Sequence, residues 1–213
     1  MNTNERFLVT INRELGSGGR TVGEKLAGRL GVAFYDKALI KQLVKEFGLD
    51  VEKIEQLKGR KQGWWAELCS KLSPAPGYDY YRMAENGRPE LVTTDDLFKA
   101  ESRILGAIAE DESCVVAGRA GFHVLRNHPN KIRVFIRASM AWRIERVMRR
   151  QGLGEEEAAV VIEKVDAARE NYVKHYTGTS RYDARNYDLV LNMDGLSDDD
   201  AVEVILEYIR RSE

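Results

Sequence analysis

A chain of 213 residues with 43% hydrophobic and 31% charged residues is too apolar to remain disordered, and at ~150 residues per domain it suits one core with an insertion better than two full domains. Lys and Arg number 33 against 34 Asp and Glu, and the net charge of −1 argues against a general polyanion binder and so against a nucleic-acid polymer as partner. Cys69 and Cys114 give neither a disulfide framework nor paired metal-ligand spacing, the amino-terminal apolar run is too short for a secretory signal, and no stretch approaches ~18 uninterrupted apolar residues, so a soluble cytoplasmic protein without a membrane partner is expected.

Short β-rich runs alternate with longer helical patterns along the chain. Phe7–Asn12 reads as a strand, Arg20–Leu30 as a helix with Val22, Leu26 and Leu30 on one face, and Val32–Tyr35 as a second strand followed by a helix over Lys37–Phe47. The helix predicted over Asp95–Glu110 places Leu97, Ala100, Ile104 and Ile108 together. Ser113–Ala117 and Ile132–Arg137 read as buried-type strands, and Met140, Ile144, Val147 and Met148 mark the helix after them. Glu155–Tyr176 is long and charged, with Ala158, Val161, Ile162, Val165, Ala168 and Tyr172 as its apolar stripe. Tyr187–Asn192 is the last strand, and Val202, Ile205, Leu206 and Ile209 give the closing helix. Five strands alternating with helices predict an α/β fold with a mostly parallel sheet. Residues 58–92 break the rhythm with Trp64, Trp65, Tyr78, Tyr80 and Tyr81, and read as an insertion over the sheet edge whose aromatics are compatible with a dimer interface.

The most informative segment runs from Ile11 to Thr21, where a strand enters a glycine-rich turn and then a helix. In that setting successive backbone amides of Gly16, Ser17, Gly18 and Gly19 can curl around an anion, and the helix start adds unpaired donors and partial positive charge. Glycine lets the backbone approach a phosphate without Cβ clashes. Arg13 and Arg20 flank the turn and suit bidentate bonding to phosphate oxygens. The P-loop pattern G-x-x-x-x-G-K-[ST] is not met: with Gly18 as its second glycine, Arg13 replaces the first, Gly19 stands at the lysine and Arg20 at the hydroxyl residue. A tight strand-to-helix turn needing glycine for geometry alone is the competing reading.

The run Ile11–Ile40, with Val115–Leu125, Ile132–Met148, Lys164–Gly178 and Tyr187–Ser197, resembles the cytidylate kinase-like family of P-loop nucleotide kinases. The resemblance implies a P-loop-type three-layer fold with a five-stranded parallel sheet, helices on both faces and a helical lid. It implies a single domain over 1–213, with 58–92 on the acceptor side and 154–181 as the lid. It also implies transfer of a phosphoryl group from ATP, with Mg2+, to a nucleoside monophosphate or similar small acceptor.

Phosphoryl transfer asks a protein mainly to align donor and acceptor and to neutralise developing charge with cations and amides. Arg13, Arg20, Arg119 and Arg169 are accordingly the expected catalytic cations. Gly16–Thr21 is the expected donor-phosphate loop, and Ser17 or Thr21 would offer a hydroxyl to the metal. Gly118-Arg119 follows a strand, where parallel sheets bind ligands, and matches the family's acceptor-binding Gly-Arg pair, but Ala120 stands where an aspartate is usual. Asp36 and Lys37 resemble the start of the monophosphate-binding helix, with Lys41 near the place of its arginine; Asp36 also suits a helix cap. Asp166 and Arg169 lie three apart on the long helix and either pair on a solvated face or belong to the lid over the phosphates, where they would help bind substrate. Arg143 and Arg146 either reach donor phosphates or pair with Glu145, and residues 177–181 read as a flexible return from the lid. His123 is read as structural. The missing lysine leaves a second reading open, a non-catalytic nucleotide- or phosphate-binding module on the same scaffold.

Overall fold

The structure, a computed structural model, describes residues 1–37, 39–40, 43–44 and 94–212. Lys41, most of the helix expected over Lys37–Phe47 and the aromatic insertion 58–92 lie outside the described residues.

Five strands form one sheet: β1 (Leu8–Arg13), β2 (Ala33–Asp36), β3 (Cys114–Ala117), β4 (Lys131–Arg137) and β5 (Leu189–Asn192). They run parallel in the order β2-β3-β1-β4-β5, with Leu8 level with Cys114 on one side and Lys131 on the other. Every strand therefore ends at the same edge, which brings together Arg13, Asp36, Ala117, Arg137 and Asn192. In parallel α/β sheets this carboxyl edge is where ligands bind.

Six α-helices accompany these strands among the described residues: α1 (Gly19–Leu30), α2 (Thr94–Asp111), α3 (Gly121–Val124), α4 (Met140–Gln151), α5 (Glu155–Thr177) and, after the last strand, α6 (Asp198–Arg211). Helical positions also follow β2, at Lys37, Leu39, Ile40, Leu43 and Val44. Local sequence sets the ends. Ser139 Oγ accepts from Trp142 N at the start of α4, and a reciprocal pair between Ser197 and Asp200 starts α6. Gly152 and Gly178 close α4 and α5 with φ of 69° and 70°, a backbone shape that glycine adopts without strain.

Strand alternation builds two cores. Leu8 and Val116 face a layer with Ile104, Leu105 and Ile108 of α2. Val9, Ile11, Val134 and Ile136 face Val22 and Leu26 of α1 and Val202 and Ile205 of α6. β1 and β3 are buried on both faces, as expected of central strands in a parallel sheet. A third cluster joins Leu15, just after β1, to Val147 of α4 and to Ala158 and Ile162 of α5. This apolar contact seats the long helix against the glycine-rich turn.

The sequence-based elements correspond to the observed ones to within one or two residues at most boundaries, the last helix beginning earlier, at Asp198. The burial of α5 is the main correction. Ala168, expected in its apolar stripe, is exposed, whereas Asp166 is buried. The reason is an ionic partner set, described next, that outweighs hydropathy at that position.

Candidate active site

Between β1 and α1 the chain turns tightly. Gly16 and Gly18 hold φ of 82° and 88°, values that side-chain-bearing residues rarely adopt. Close approach adds a second constraint. A Cβ on Gly16 would lie 2.7 Å from the Arg143 carbonyl oxygen, and one on Gly18 would lie 2.8 Å from Asp198 Oδ1 and 3.0 Å from Arg146 Cζ. Gly18 caps α1 without a side-chain hydrogen bond, and the first turn of α1 carries no acidic residue. A helix start leaves its first amides without intrahelical acceptors and carries partial positive charge, and the first turn of α1 supplies no countercharge of its own.

Arginines surround the turn. Arg13 ends β1, and its backbone is held on both sides: its amide donates to Asn12 Oδ1 at 2.9 Å, and its carbonyl accepts from Arg169 Nη1 at 3.3 Å and from Arg181 Nη2. Behind them lies Asp166, 6% exposed. Asp166 Oδ2 accepts from Arg143 Nη1 at 2.6 Å, and Oδ1 accepts from Leu15 N at 3.0 Å and from Arg169 and Arg181 at 3.4 Å each. Glu14 Oε2 accepts from the Ala138 amide at 3.1 Å and lies 3.8 Å from Arg143 Nε. A buried carboxylate shared by arginines from α4, α5 and the segment after α5 thus ties the lid-like helix to the turn. Residues 177–181, expected as a flexible return, are pinned by this network: Arg181 is fully buried, and its amide donates to Glu170 at 3.0 Å.

Arg20 lies elsewhere. Its Nε donates to Asp36 Oδ2 at 2.8 Å and its Nη1 to Glu24 at 3.1 Å, on the β2 side of the edge. Burial would lower its pKa, but bonding to Asp36 and Glu24 outweighs this and raises it. Asp36 also accepts from Leu39 N at 3.1 Å, capping the helix after β2, and Lys37 is exposed beside it. Ser17 Oγ is turned inward toward the Glu14 and Ile136 carbonyls, at 2.9 Å and 3.2 Å. Thr21 Oγ1 accepts from Arg150 Nη2 at 2.9 Å. Arg150 has a lowered pKa through burial and then the nearby charge of Arg146, Arg20 and Arg149, partly opposed by Asp198. Arg146 pairs with Asp198 at 2.7 Å, not with Glu145, which bonds Arg149 instead.

Arg119 and Ala120 both have left-handed backbone, φ 53° and 51°. This strained turn sends the Arg119 side chain toward α2, where it pairs with Glu101, and over the Tyr172 ring at 4.8 Å. Glu101 is 1% exposed. His123 has its pKa lowered by burial and by Arg126, and it makes no ionic contact with this group.

The structure therefore gathers Arg13, Gly16–Gly19, Asp166 and Arg169 at the centre of the edge, with Arg20, Asp36 and Lys37 toward β2 and Arg119 beyond β3. Arg181, Glu101 and Asp198 join the site without having been singled out from sequence, and Arg143, expected at donor phosphates or on Glu145, is bonded to Asp166 instead. A signal existed for Arg143, which lies four residues before Val147 on the apolar face of α4. None existed for Arg181, whose polar neighbours in sequence give no hint of burial.

The sheet order and the glycine turn beyond β1 define a P-loop kinase fold. The chain superposes on shikimate kinase from Bacteroides thetaiotaomicron with a TM-score of 0.52 at 16% identity, covering 96% of this chain and 98% of that one. It superposes on an uncharacterised protein from Eubacterium ventriosum with a TM-score of 0.71 at 24% identity, covering 96% and 99%. The chain belongs to the cytidylate kinase-like family, whose family model matches residues 8–195. Among curated relatives, cytidylate kinase from Sulfolobus acidocaldarius is 24% identical over 205 residues, 95% of this chain and 94% of the relative. Cytidylate kinase from Pyrococcus horikoshii is 26% identical over 190 residues, 88% and 80%. No helix among the described residues is long and apolar enough to cross a membrane.

Proposed function

We propose that the chain is an ATP-dependent phosphotransferase resembling cytidylate kinase, which moves the γ-phosphoryl group of ATP to a nucleoside monophosphate or a similar small acceptor in the cytoplasm. The supporting observation is the shell of arginines around one backbone turn: Arg13 at its head, with Arg169 and Arg181 on the Arg13 carbonyl. Phosphoryl transfer is catalysed largely by positioning and charge stabilisation, and fixed cations around an amide-lined turn supply both. In this reading Gly16–Gly19 and the start of α1 hold the donor phosphates. Arg13, Arg169 and Arg119 stabilise the transferring group. Asp36, Lys37 and Lys41 contribute to acceptor binding, and Arg20 holds Asp36 in place. Residues 154–181 act as the lid of a single domain, with 58–92 on the acceptor side.

Mg2+ would supply charge neutralisation to the donor phosphates when bound. The described residues hold no group of three His, Cys, Asp or Glu suited to a metal ion. The Ser17 hydroxyl is spent on buried carbonyls and Thr21 Oγ1 faces a cation, so neither fits as a direct ligand in this arrangement. Phosphate oxygens and water are the donors that suit this ion here.

Purified protein assayed with ATP and Mg2+ against the common ribo- and deoxyribonucleoside monophosphates tests the proposal. Turnover of at least one acceptor is expected, and no turnover of any would overturn it. The second reading, a nucleotide-binding module without catalysis, is favoured by glycine at the lysine position and by the engagement of Arg20 with Asp36. ATP binding without transfer would select it.

A further inference from the structure

The ordinary P-loop places a lysine in the first turn of its helix, where the ammonium group reaches the β- and γ-phosphates. At the matching position this chain has Gly19, and the neighbouring Arg20 is committed to Asp36 and Glu24. The space beside Gly19 is nevertheless filled. A Cβ at that position would lie 2.6 Å from Arg13 Cβ and 3.0 Å from Arg13 Cγ. Real Cβ atoms do not approach so closely, so a side chain at 19 and the present Arg13 side chain exclude one another. Farther along, the Arg13 guanidinium reaches the turn after β3, where a Cβ on Gly118 would overlap Arg13 Nη1. Arg13 thus begins where a lysine side chain at 19 would begin, beside the first residue of α1. Its guanidinium ends against Gly118, in the turn after β3.

Three further features fit a fixed functional cation. Strand alternation directs Arg13 to the α1 face of the sheet, the face of Val9 and Ile11. Its backbone is locked on both sides, by Asn12 at the amide and by Arg169 and Arg181 at the carbonyl. Gly118 holds φ 87° and Gly19 lies in the first helical turn, so two glycines at separate places in the sequence clear the path of one side chain. A guanidinium bonds phosphate oxygens in pairs and stays protonated at any working pH.

We propose that Arg13 supplies the charge that a lysine at position 19 supplies in the ordinary P-loop, and that Gly19 is glycine because Arg13 occupies that volume. The proposal rests on the phosphotransferase reading for its chemistry, but its test reads nucleotide binding separately from transfer.

The test is a double-substitution cycle of R13G and G19K, with R13A and R13K alongside. The double variant restores glycine at 13 and lysine at 19, the ordinary arrangement. ATP affinity is measured by calorimetry without acceptor, turnover is measured with the acceptor that wild type uses, and circular dichroism checks folding. R13A and R13G are expected to lose about tenfold or more in ATP affinity and on the order of 10²-fold in turnover. G19K alone should lose ATP affinity as well, because its side chain meets Arg13. The double variant should recover ATP affinity to within about tenfold of wild type, a positive coupling that two independent structural defects do not give. Should the R13 truncations fail to fold, R13K and the double variant carry the test, since both keep a cation on the turn. R13A binding ATP like wild type would overturn the proposal, and so would a double variant no better than the worse single one. Wild type that binds ATP but transfers nothing would sink the kinase reading alone and leave the cycle to judge Arg13. Wild type that does not bind ATP would overturn both.

Discussion

Asp166 Oδ1 accepts a hydrogen bond from the backbone amide of Leu15 at 3.0 Å, across 151 residues of sequence. The long helix α5 is thereby bonded to the middle of the glycine turn, and the same carboxylate holds Arg143 at 2.6 Å. The lid-like segment and the proposed phosphate loop consequently share one buried anchor, and a defect in the anchor reaches both.

Asp166→Ala is expected to be far worse than Asp166→Asn. The alanine variant leaves Arg143 and Arg181 buried without their carboxylate, which costs about 3–5 kcal/mol. Asparagine keeps an acceptor for Leu15 N but loses the charge and turns an amide NH2 toward Arg143 Nη1, so it should fall between alanine and wild type. Urea denaturation of the three proteins gives the order directly. Equal midpoints for the two variants would contradict the anchor role.

Gly16 and Gly18 differ in what a methyl group would meet, and their alanine variants should differ accordingly. Both pay about 1–2 kcal/mol for left-handed backbone. At Gly16 the obstacle is the Arg143 carbonyl inside helix α4, which cannot swing away. At Gly18 it is the tips of Asp198 and Arg146, whose 2.7 Å ion pair can yield. Gly16→Ala is therefore expected to lose more stability, by about 1 kcal/mol or more. Thermal melts of the two variants that coincide would refute the difference.

The fold was legible because its signals are local. Alternating apolar runs mark β1 and β4, and glycines after a strand and before a helix mark the turn. The wiring of the site was not legible to the same degree. Asp166 and Arg169 sit three apart and read either as a surface pair or as lid residues over the phosphates, but Asp166 draws its other partners from Leu15, Arg143 and Arg181. No sequence period reports such long-range pairing, and burial of the charge follows from it. Arg20 was expected at the phosphates because it is next to the glycines in sequence. Its position in the first turn of α1 directs it instead to the end of β2. Arg13 points along the face shared with α1, and this follows from strand parity once the β1 register is known. The room it takes at Gly19 becomes visible only with the coordinates.

The Arg20–Asp36 pair yields a kinetic prediction. Arg20 is 55% exposed and Asp36 12%, so the pair adds under about 1 kcal/mol to stability. Asp36 also caps the helix after β2, on the proposed acceptor side. Arg20→Ala frees the Asp36 carboxylate from its cation and should mainly raise the KM for the acceptor. The fall in kcat should be smaller than the one caused by Arg13→Ala. Steady-state kinetics on both variants compares them, and a larger kcat loss for Arg20→Ala would place the catalytic cation at 20.

Asp188 at the start of β5 gives a pH signature unconnected with catalysis. Its Oδ2 accepts from the Arg133 amide at 2.8 Å and Nε at 3.1 Å, and its Oδ1 accepts from Arg133 Nη2 at 2.7 Å. Burial alone would raise its pKa, but the bonds and charge of Arg133, with a further contribution from Lys131, outweigh burial and depress it. An unfolded aspartate titrates near pH ~3.9, so the folded chain binds fewer protons here below that point. The stabilisation is fully present above about pH 4 and is lost as pH falls through the lower folded value. Asp188→Asn keeps an acceptor for the Arg133 amide but loses the charge, and at pH 7 it should cost about 1 kcal/mol. The gap between wild type and variant in denaturant midpoint should close on acidification below that range. A gap that persists unchanged to pH 2 would mean that packing, and not the charge of Asp188, sets the difference.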